Sequence, residues 1–140
     1  MTGLRPGEAR NARVDGDMLI IKPIKDKAGN VVWRPKTLSS HRRVPRPTGW
    51  ELTTIGVREE RKQVRALISD KNVTPHSGRH TFIELARRAG ADLRIIDEVC
   101  GHGSKQGSSS QRGYGAFPDE VLTRETKKVW ELITHIVNPT

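Results

Sequence analysis

Residues 74–90 read TPHSGRHTFIELARRAG, and this stretch carries a clear helical signal. Thr74 and Pro75 are typical of a helix N-terminus, with a capping residue followed by proline at the first helical position. Apolar residues from Phe82 to Ala89 then recur at spacings of four and three, which places them on one side of the helix. The pattern predicts a helix whose apolar side faces a core.

The same stripe begins with two side chains that do not suit a core. Arg79 lies just before Phe82 on the stripe, and His76 lies before Arg79 at the helix start. A charge that faces a core is costly unless a partner neutralises it. The sequence therefore predicts either an acid beside Arg79 or an anion that binds there from solution.

Composition restricts the class of protein. The 140 residues are enough for one domain with a modest core, and 34% of them are hydrophobic. The single cysteine, Cys100, excludes an internal disulfide and fits a reducing compartment. No apolar run of about 18 residues is present, and residues 1–10 lack a hydrophobic signal region. We expect a soluble cytoplasmic protein that does not span a membrane.

Positive charge is concentrated in one segment. The net charge is +9, and residues 22–46 contain eight Lys or Arg residues but one acid, Asp26. Such a basic stripe is typical of a protein that binds a polyanion, most often nucleic acid, although a solvated basic face without a partner stays possible. The cations predicted to contact DNA are Lys22, Lys25, Lys27, Arg34, Arg42, Arg43 and Arg46.

The remaining pattern predicts a mainly helical α+β domain with a small three-stranded antiparallel sheet. Strands are expected at residues 18–23, 31–33 and 41–45, with a hairpin turn at 26–30 and Lys36 near the second turn. Helices are expected around residues 3–12, 54–72, 74–90, 91–103 and 117–137, and a mobile loop at 103–113. The helix at 91–103 should end at Gly101 or Gly103. The apolar residues expected to pack from the second and last helices are Val57, Val64, Leu67, Ile68, Val121, Leu122, Val129, Leu132, Ile133 and Ile136.

Several polar residues have an ordinary interpretation when each is taken alone. Glu8 can be the i,i+3 partner of Arg5 on a short helix. Lys36 is one lysine among many, His102 can end a helix, and Tyr114 can be a half-buried aromatic residue. Their order along the chain distinguishes them from such isolated residues.

The ordered segments TGLRPGEA, PKTLSSHRRVP, HSGRH and GADLRIIDEVCGHG, followed by a tyrosine, resemble the C-terminal catalytic domain of the tyrosine recombinases, the phage-integrase family. The resemblance covers essentially residues 1–140, and GADLR followed by GH is its most specific part. It implies the DNA breaking-rejoining fold of that family. By position it implies the catalytic residues Arg5, Lys36, His76, Arg79 and His102, with Tyr114 as the nucleophile.

Two features depart from the family pattern. Tyr114 lies 12 positions after His102, which is a longer spacing than is usual in the family. Family members also have further catalytic-domain helices before the first arginine and a separate upstream DNA-binding domain. Because only four residues precede Arg5, we expect an N-terminally truncated catalytic domain.

The residue types suit phosphoryl transfer. A tyrosine with a pKa of about 10 is ionised in about one molecule in 10³ at pH 7, so Tyr114 needs an activated electrophile. Arg5 and Arg79 suit the non-bridging oxygens of a phosphodiester, because guanidinium forks bind phosphate bidentately. Lys36 can protonate the departing 5′ oxygen. His76 can accept the tyrosine proton or hold the phosphate, and His102 can donate to a non-bridging oxygen.

The resemblance implies a site-specific recombinase or integrase of a mobile genetic element. It would act on double-stranded DNA as a homo-tetramer, without a cofactor or metal, in the cytoplasm or nucleoid. Three alternatives remain at the level of sequence. His76, His80, Cys100 and His102 could form a zinc site, although no HExxH pattern is present. A type IB topoisomerase would use the same residue types to relax DNA, and a catalytically inactive remnant would bind DNA without cutting it.

Overall fold

The computed structural model describes residues 2–37, 40–51, 56–102 and 117–139. In these ranges the helices are α1 (Pro6–Asn11), α2 (Val57–Leu67), α3 (Ser77–Arg88), α4 (Leu93–Cys100) and α5 (Asp119–Val137). The strands are β1 (Arg13–Asp15), β2 (Met18–Ile21), β3 (Ile24–Lys25), β4 (Val31–Trp33) and β5 (Arg42–Pro45). The combination of helices with small antiparallel sheets is compatible with the expected α+β class.

Strand β2 is central in a three-stranded antiparallel sheet with the order β1–β2–β5. A turn at Gly16, whose φ is 58°, joins β1 to β2, and glycine adopts this left-handed conformation at little steric cost. On the other edge, Met18 lies opposite Pro45 and Ile21 lies opposite Arg42. The sheet therefore brings the end of the basic segment back beside the first strands of the chain.

The expected pairing of residues 18–23 with residues 31–33 is wrong. Strands β3 and β4 form a separate two-stranded sheet, joined by the turn at Asp26–Asn30. Pro23 separates β2 from β3 and has no N–H to donate to a ladder, so β2 ends before it. Because β1 and β5 already occupy both edges of β2, the hairpin forms its own sheet.

The core lies between the three-stranded sheet and helices α3, α4 and α5. Leu19, Ile21 and Val44 face inward from β2 and β5. Their helical partners include the fully buried side chains Phe82, Ile96, Val99, Leu122 and Val129. Burying an aliphatic or aromatic side chain of this size contributes about 1.5–3 kcal/mol. Helices α3 and α4 of this core also carry or contact the buried arginines Arg79 and Arg42.

Helix α3 begins at Ser77, two residues after the expected proline position. Thr74 and Pro75 belong to the preceding turn, in which the Ser77 amide donates to the Thr74 carbonyl oxygen at 2.8 Å. The Thr74 amide in turn donates to the Ser77 hydroxyl oxygen at 2.9 Å. His76 therefore occupies the N-cap position, without a side-chain hydrogen bond to the helix, and Arg79 lies in the first turn.

Helix α4 follows its sequence signals at both ends. The Asp92 carboxylate accepts a hydrogen bond from the Arg94 amide at the N-cap. The helix stops at Gly101, whose φ of 66° is a left-handed C-cap conformation, as expected for one of the two glycines proposed. The segment expected to be a mobile loop, residues 103–113, lies outside the described residues.

Helix α2 forms where the pattern predicts it, but its apolar residues are poorly buried. Val64 is half-buried, whereas Ile68 is exposed and Leu67 is 85% exposed. An ion pair between Arg10 and Glu60 links α1 to α2. In α5, by contrast, Leu122 and Val129 are buried, Val121, Leu132 and Ile133 are partly buried, and Ile136 is exposed. Within the described ranges, no helix is both long and apolar enough to cross a membrane.

Candidate active site

A cleft of about 540 Å³ lies between α1, the segment after β4, and the turn before α3. It brings together three of the predicted catalytic residues, Arg5, Lys36 and His76. Two further cations, Arg34 and Arg61, line the same cleft. The complete lining is Arg5, Pro6, Gly7, Glu8, Trp33, Arg34, Pro35, Lys36, Arg61, Thr74, Pro75 and His76. Apart from Glu8, its ionisable residues are all Arg, Lys or His, so the cleft suits an anionic ligand.

Arg5 is held in place from two sides at the N-terminus of α1. Its Nη1 donates to the Glu8 carboxylate at 2.9 Å and to the Ser40 hydroxyl oxygen at 3.0 Å. The other Glu8 oxygen accepts the Arg5 backbone amide at 2.9 Å, which caps the helix. The expected i,i+3 pair between Arg5 and Glu8 is therefore present, and it fixes one face of a half-buried guanidinium.

Glu8 is shared between two arginines. Its carboxylate also accepts hydrogen bonds from Arg42 at 3.0 and 3.2 Å. Burial alone raises the pKa of Glu8, but the hydrogen bonds and charge of Arg42, with the hydrogen bonds of Arg5, outweigh it and hold the pKa below 4.5. Glu8 is therefore a carboxylate at neutral pH and neutralises only part of the positive charge around it.

Arg79 is 6% exposed and lies against the segment that leads to Arg5. Its Nη1 donates to the Gly3 carbonyl oxygen at 3.0 Å, and its Nη2 is buried without a partner among the described residues. Burial lowers the pKa of Arg79, and the nearby charges of Arg5 and Arg42 lower it further. The described residues thus supply no hydrogen-bonded acid for Arg79, and its Nη2 is an unsatisfied buried donor.

The predicted catalytic residues differ in their position relative to the cleft. Lys36 and His76 are exposed in the cleft, whereas Arg79 does not line it. His102 is exposed beside α4, and its Nδ1 lies 3.2 Å from the Asp97 carboxylate. If Nδ1–H donates to Asp97, Nε2 can donate to a ligand only when the ring is protonated. Tyr114 lies outside the described residues.

The structure places two of the predicted DNA contacts, Arg42 and Arg43, in ion pairs within the chain. Arg42 is 3% exposed and holds Glu8 inside the protein, so its guanidinium does not lie on the surface. The neighbouring Arg43 donates to Asp119 and Asp15, at 3.0 and 3.1 Å. Arg43 therefore has two acidic partners, whereas Arg42 shares its single acidic partner, Glu8, with Arg5. Among the other predicted contacts, Lys25, Lys27 and Arg34 are exposed, and Lys22 and Arg46 are half-buried.

The zinc alternative receives no support from the described residues. Within residues 2–37, 40–51, 56–102 and 117–139, three or more His, Cys, Asp or Glu side chains do not gather into a group that could hold a metal ion. Cys100 is buried, and burial raises the pKa of its thiol to about 11, which disfavours the thiolate that zinc needs.

Sequence reasoning missed two contributions to the site. Arg61 reaches the cleft from α2, far along the chain from the basic segment, and no spacing pattern links them. Arg42 does not lie on the surface; it binds the buried Glu8 carboxylate. Strand alternation could have indicated its burial, because Arg42 and Val44 lie on the same side of β5 and Val44 is apolar.

Comparison with known proteins finds partial matches among tyrosine recombinases. The chain is 43% identical over 60 residues to the tyrosine recombinase XerC of two Leptospira interrogans strains, of serovars copenhageni and Lai. It is 31% identical over 77 residues to the tyrosine recombinase XerC of Natranaerobius thermophilus. These partial matches support the tyrosine recombinase family.

The extent of the matches is limited. They cover 40% and 49% of this chain, respectively, and 18% and 26% of the length of the XerC proteins. No protein-family model matches the chain, and no solved structure matches it. The family similarity therefore rests on part of the sequence, and the structure supplies the arrangement of the cleft independently.

Proposed function

We propose that this chain is the catalytic domain of a site-specific DNA recombinase that cuts and rejoins strands through a 3′-phosphotyrosine. One observation carries the proposal. The cleft gathers Arg5, Lys36 and His76. The buried Arg79 is held on the Gly3 carbonyl oxygen, two residues before Arg5, and its Nη2 has no partner within the described residues. A phosphodiester is an anion that would use all of these groups.

In the proposed reaction the hydroxyl oxygen of Tyr114 attacks the phosphorus of the scissile phosphate. The new P–O bond to tyrosine forms as the P–O5′ bond breaks, and His76 takes the phenolic proton. Lys36 gives a proton to the departing 5′ oxygen. Because the phosphotyrosine keeps the energy of the broken bond, a 5′ hydroxyl from a second strand can reverse the step.

The guanidinium groups would act on the transition state. Arg5 and Arg79 would bind the non-bridging oxygens, where negative charge gathers, and loss of one such preorganised contact typically costs about 2.7–4 kcal/mol of barrier. The N-terminal turn of α3 adds partial positive charge near Arg79. His102, whose Nδ1 lies 3.2 Å from the Asp97 carboxylate, would donate to the same phosphate.

Double-stranded DNA would pass over the cleft and the exposed part of the basic segment. Arg34 and Arg61 line the cleft itself, and Lys25 and Lys27 extend the positive surface along the β3–β4 hairpin. Such contacts neutralise backbone phosphates without reading sequence. We propose recombination of two DNA sites within a homo-tetramer, as in integration or excision of a mobile element, for the whole protein.

Covalent trapping on DNA tests the proposed chemistry. A duplex with a nick just beyond the scissile phosphate loses its short 5′-ended fragment after cleavage, so the phosphotyrosine accumulates and is visible on a denaturing gel. Because the natural site is unknown, a pool of random duplexes is the probe. We expect a protein–DNA adduct that disappears with Tyr114→Phe and falls at least about a hundredfold with Arg5→Ala.

The controls separate chemistry from binding. Arg88→Ala, an exposed arginine on α3 away from the described site, should leave the adduct unchanged. Salt-sensitive DNA binding without any adduct would contradict the catalytic proposal and favour a DNA-binding role alone. An adduct that survives Tyr114→Phe would show that another residue is the nucleophile.

A further inference from the structure

We propose that Arg42 is a positioning residue for the site: it fixes Glu8 and, through Glu8, the orientation of Arg5. The inference rests on the proposed function for its catalytic consequence, although the geometry itself is independent of it. Arg42 belongs to the basic segment that is predicted to contact DNA, yet its side chain is 3% exposed. A cation at this depth is stable only where its donors are satisfied.

The donors of Arg42 connect three segments that carry predicted catalytic residues. Nε donates to the Val99 carbonyl oxygen at 2.7 Å, close to the turn that bears His102. Nη1 donates to the Ser40 carbonyl oxygen at 2.8 Å, a few residues after Lys36. Nη1 and Nη2 together bind the Glu8 carboxylate. One guanidinium thus ties the helix of Arg5, the segment after Lys36 and the end of α4.

Arg5 depends on the same two partners. Its Nη1 binds Glu8, which Arg42 holds by a two-point ion pair, and it binds the hydroxyl of Ser40, whose carbonyl Arg42 holds. The Ser40 hydroxyl also lies 2.9 Å from the Thr37 hydroxyl. Both residues that hold the Arg5 guanidinium are therefore themselves held by Arg42, Glu8 through its carboxylate and Ser40 through its carbonyl oxygen. A shift of Arg42 would be transmitted to Arg5 through both residues.

The space around Arg42 is closed, which makes the arrangement specific to a planar fork. A Cβ atom placed on Gly101 would lie 2.7 Å from Nη1 and 2.8 Å from Cζ of Arg42. The guanidinium therefore lies directly against the backbone of the α4 C-cap. Lysine carries the same charge at this position but has no fork, so it cannot bind Val99, Ser40 and both Glu8 oxygens together.

The test uses Arg42→Lys in the full chain and follows Arg5 directly. The side-chain Nε–H NMR signal of Arg5, identified by its loss in Arg5→Lys, reports whether that guanidinium is ordered. We expect the Arg5 signal to become mobile in Arg42→Lys, while circular dichroism shows that the helices are retained. Arg94→Lys, which changes an exposed arginine paired with Asp92, is the matched control and should leave the Arg5 signal unchanged.

The catalytic consequence is measured as a double-mutant cycle on covalent DNA trapping. Arg42→Lys should lower the rate of adduct formation by about ten- to a hundredfold, the effect of a small misplacement of a catalytic group. In an Arg5→Ala background the same change should have almost no further effect, because both act through one side chain. A merely structural role would instead lower the rate equally in both backgrounds.

Each outcome decides the proposal. An ordered Arg5 signal in folded Arg42→Lys overturns it, as do additive effects on the rate. If Arg42→Lys does not fold, Glu8→Asp replaces it in the test. The shorter side chain keeps the negative charge but cannot reach both arginines. An Arg5 signal that stays ordered in Glu8→Asp also overturns the proposal. Absence of any adduct from the wild-type chain contradicts the proposed function, while the NMR comparison still tests the positioning.

Discussion

Arg79 is a buried cation with one donor that has no partner within the described residues. Its pKa is lowered, chiefly by burial, which means that the folded protein disfavours the charged form. Leaving a buried polar group unpaired costs about 1–3 kcal/mol. A side chain that weakens the fold is retained where function requires it. We therefore expect that replacing Arg79 raises stability and removes activity.

Replacing Arg79 with methionine should stabilise the chain by about 1 kcal/mol, because a flexible apolar side chain removes the buried charge and its unpaired donor. The same change should abolish covalent trapping of DNA. Urea denaturation measures the free energy of unfolding. Arg88→Met is the control for the substitution at an exposed position of α3, and it should be close to neutral. A marked loss of stability in Arg79→Met beyond that of the control would contradict this view of Arg79.

The sequence indicates which residues are unusual, but it does not give the surroundings of each side chain in the fold. The unusual position of Arg79 on an apolar stripe is enough to indicate a special partner. Arg42 and Arg43 are adjacent and chemically identical, yet one is buried on Glu8 and the other is paired near the surface with Asp15 and Asp119. Their difference depends on acids distant in sequence, which a local pattern does not identify.

At the scale of elements, the C-terminus of α4 joins the core to the network around Arg42. Gly101 has a φ of 66°, and an added Cβ would meet the Arg42 guanidinium at 2.7 Å. Gly90 has a similar φ of 68° after α3 but has open space around its Cα. Comparing substitutions at Gly101 and Gly90 therefore distinguishes the cost of backbone strain, which both share, from the cost of the steric contact with Arg42, which only Gly101 has.

Gly101→Ala should destabilise the chain by about 2 kcal/mol more than Gly90→Ala, because both substitutions strain the backbone but only the first also displaces Arg42. Thermal unfolding of the two variants measures the difference. Equal losses of stability would show that the Gly101 turn yields to a methyl group, and that the close approach to Arg42 is not rigid.

A hydrogen bond from the N-cap residue of α4 to a carboxylate of α5 joins these two helices. The Glu125 carboxylate accepts the Asp92 backbone amide at 2.9 Å and the Lys128 ammonium at 2.8 Å. The hydrogen bond from Lys128, then that from the Asp92 amide, lowers the pKa of Glu125 to about 2 from an ordinary value of 4.5. A lowered folded-state pKa stabilises the protein above the unfolded-state value.

Stability that depends on Glu125 should therefore be fully present above pH about 4.5 and be lost as the pH falls towards 2. Glu125→Gln should flatten this part of the acid-unfolding curve and weaken the attachment of α4 to α5. Glu131→Gln, an exposed position on the same helix, is the control. Thermal unfolding midpoints measured from about pH 2 to about pH 6 give the comparison, and parallel curves for wild type and Glu125→Gln would contradict the assignment.

Elements differ in how far sequence determines them. Helices α3, α4 and α5 depend on local periodicity, and α4 depends also on its Asp92 N-cap and its Gly101 C-cap, so the sequence predicts them to within a few residues. The sheets depend on long-range pairing, in which β2 selects β5 rather than the nearer β4. Pro23 indicates from the sequence that β2 does not continue into the hairpin and pair with β4. It does not indicate that β2 pairs with β5 instead.

For the whole molecule, the distribution of positive charge predicts how DNA binding responds to salt. Affinity for duplex DNA should fall steeply between about 50 and 200 mM salt, with a slope that counts phosphate contacts. Arg61→Ala should reduce that slope by about 1, because Arg61 lines the cleft. Arg87→Ala removes the same charge from an exposed site paired with Glu84 and should leave the slope almost unchanged. Equal slopes for wild type and Arg61→Ala would exclude Arg61 from the DNA path.

The central claim is that Arg5, Lys36, His76 and Arg79 form a site for a phosphodiester. A crystal structure of the chain soaked with vanadate tests it most directly, since vanadate reproduces the geometry of phosphoryl transfer. We predict one vanadate that accepts hydrogen bonds from Arg5 and from an Arg79 guanidinium that turns toward the cleft, with Lys36 within reach. An empty cleft in which the Arg79 Nη2 binds a carboxylate of the chain would contradict the claim.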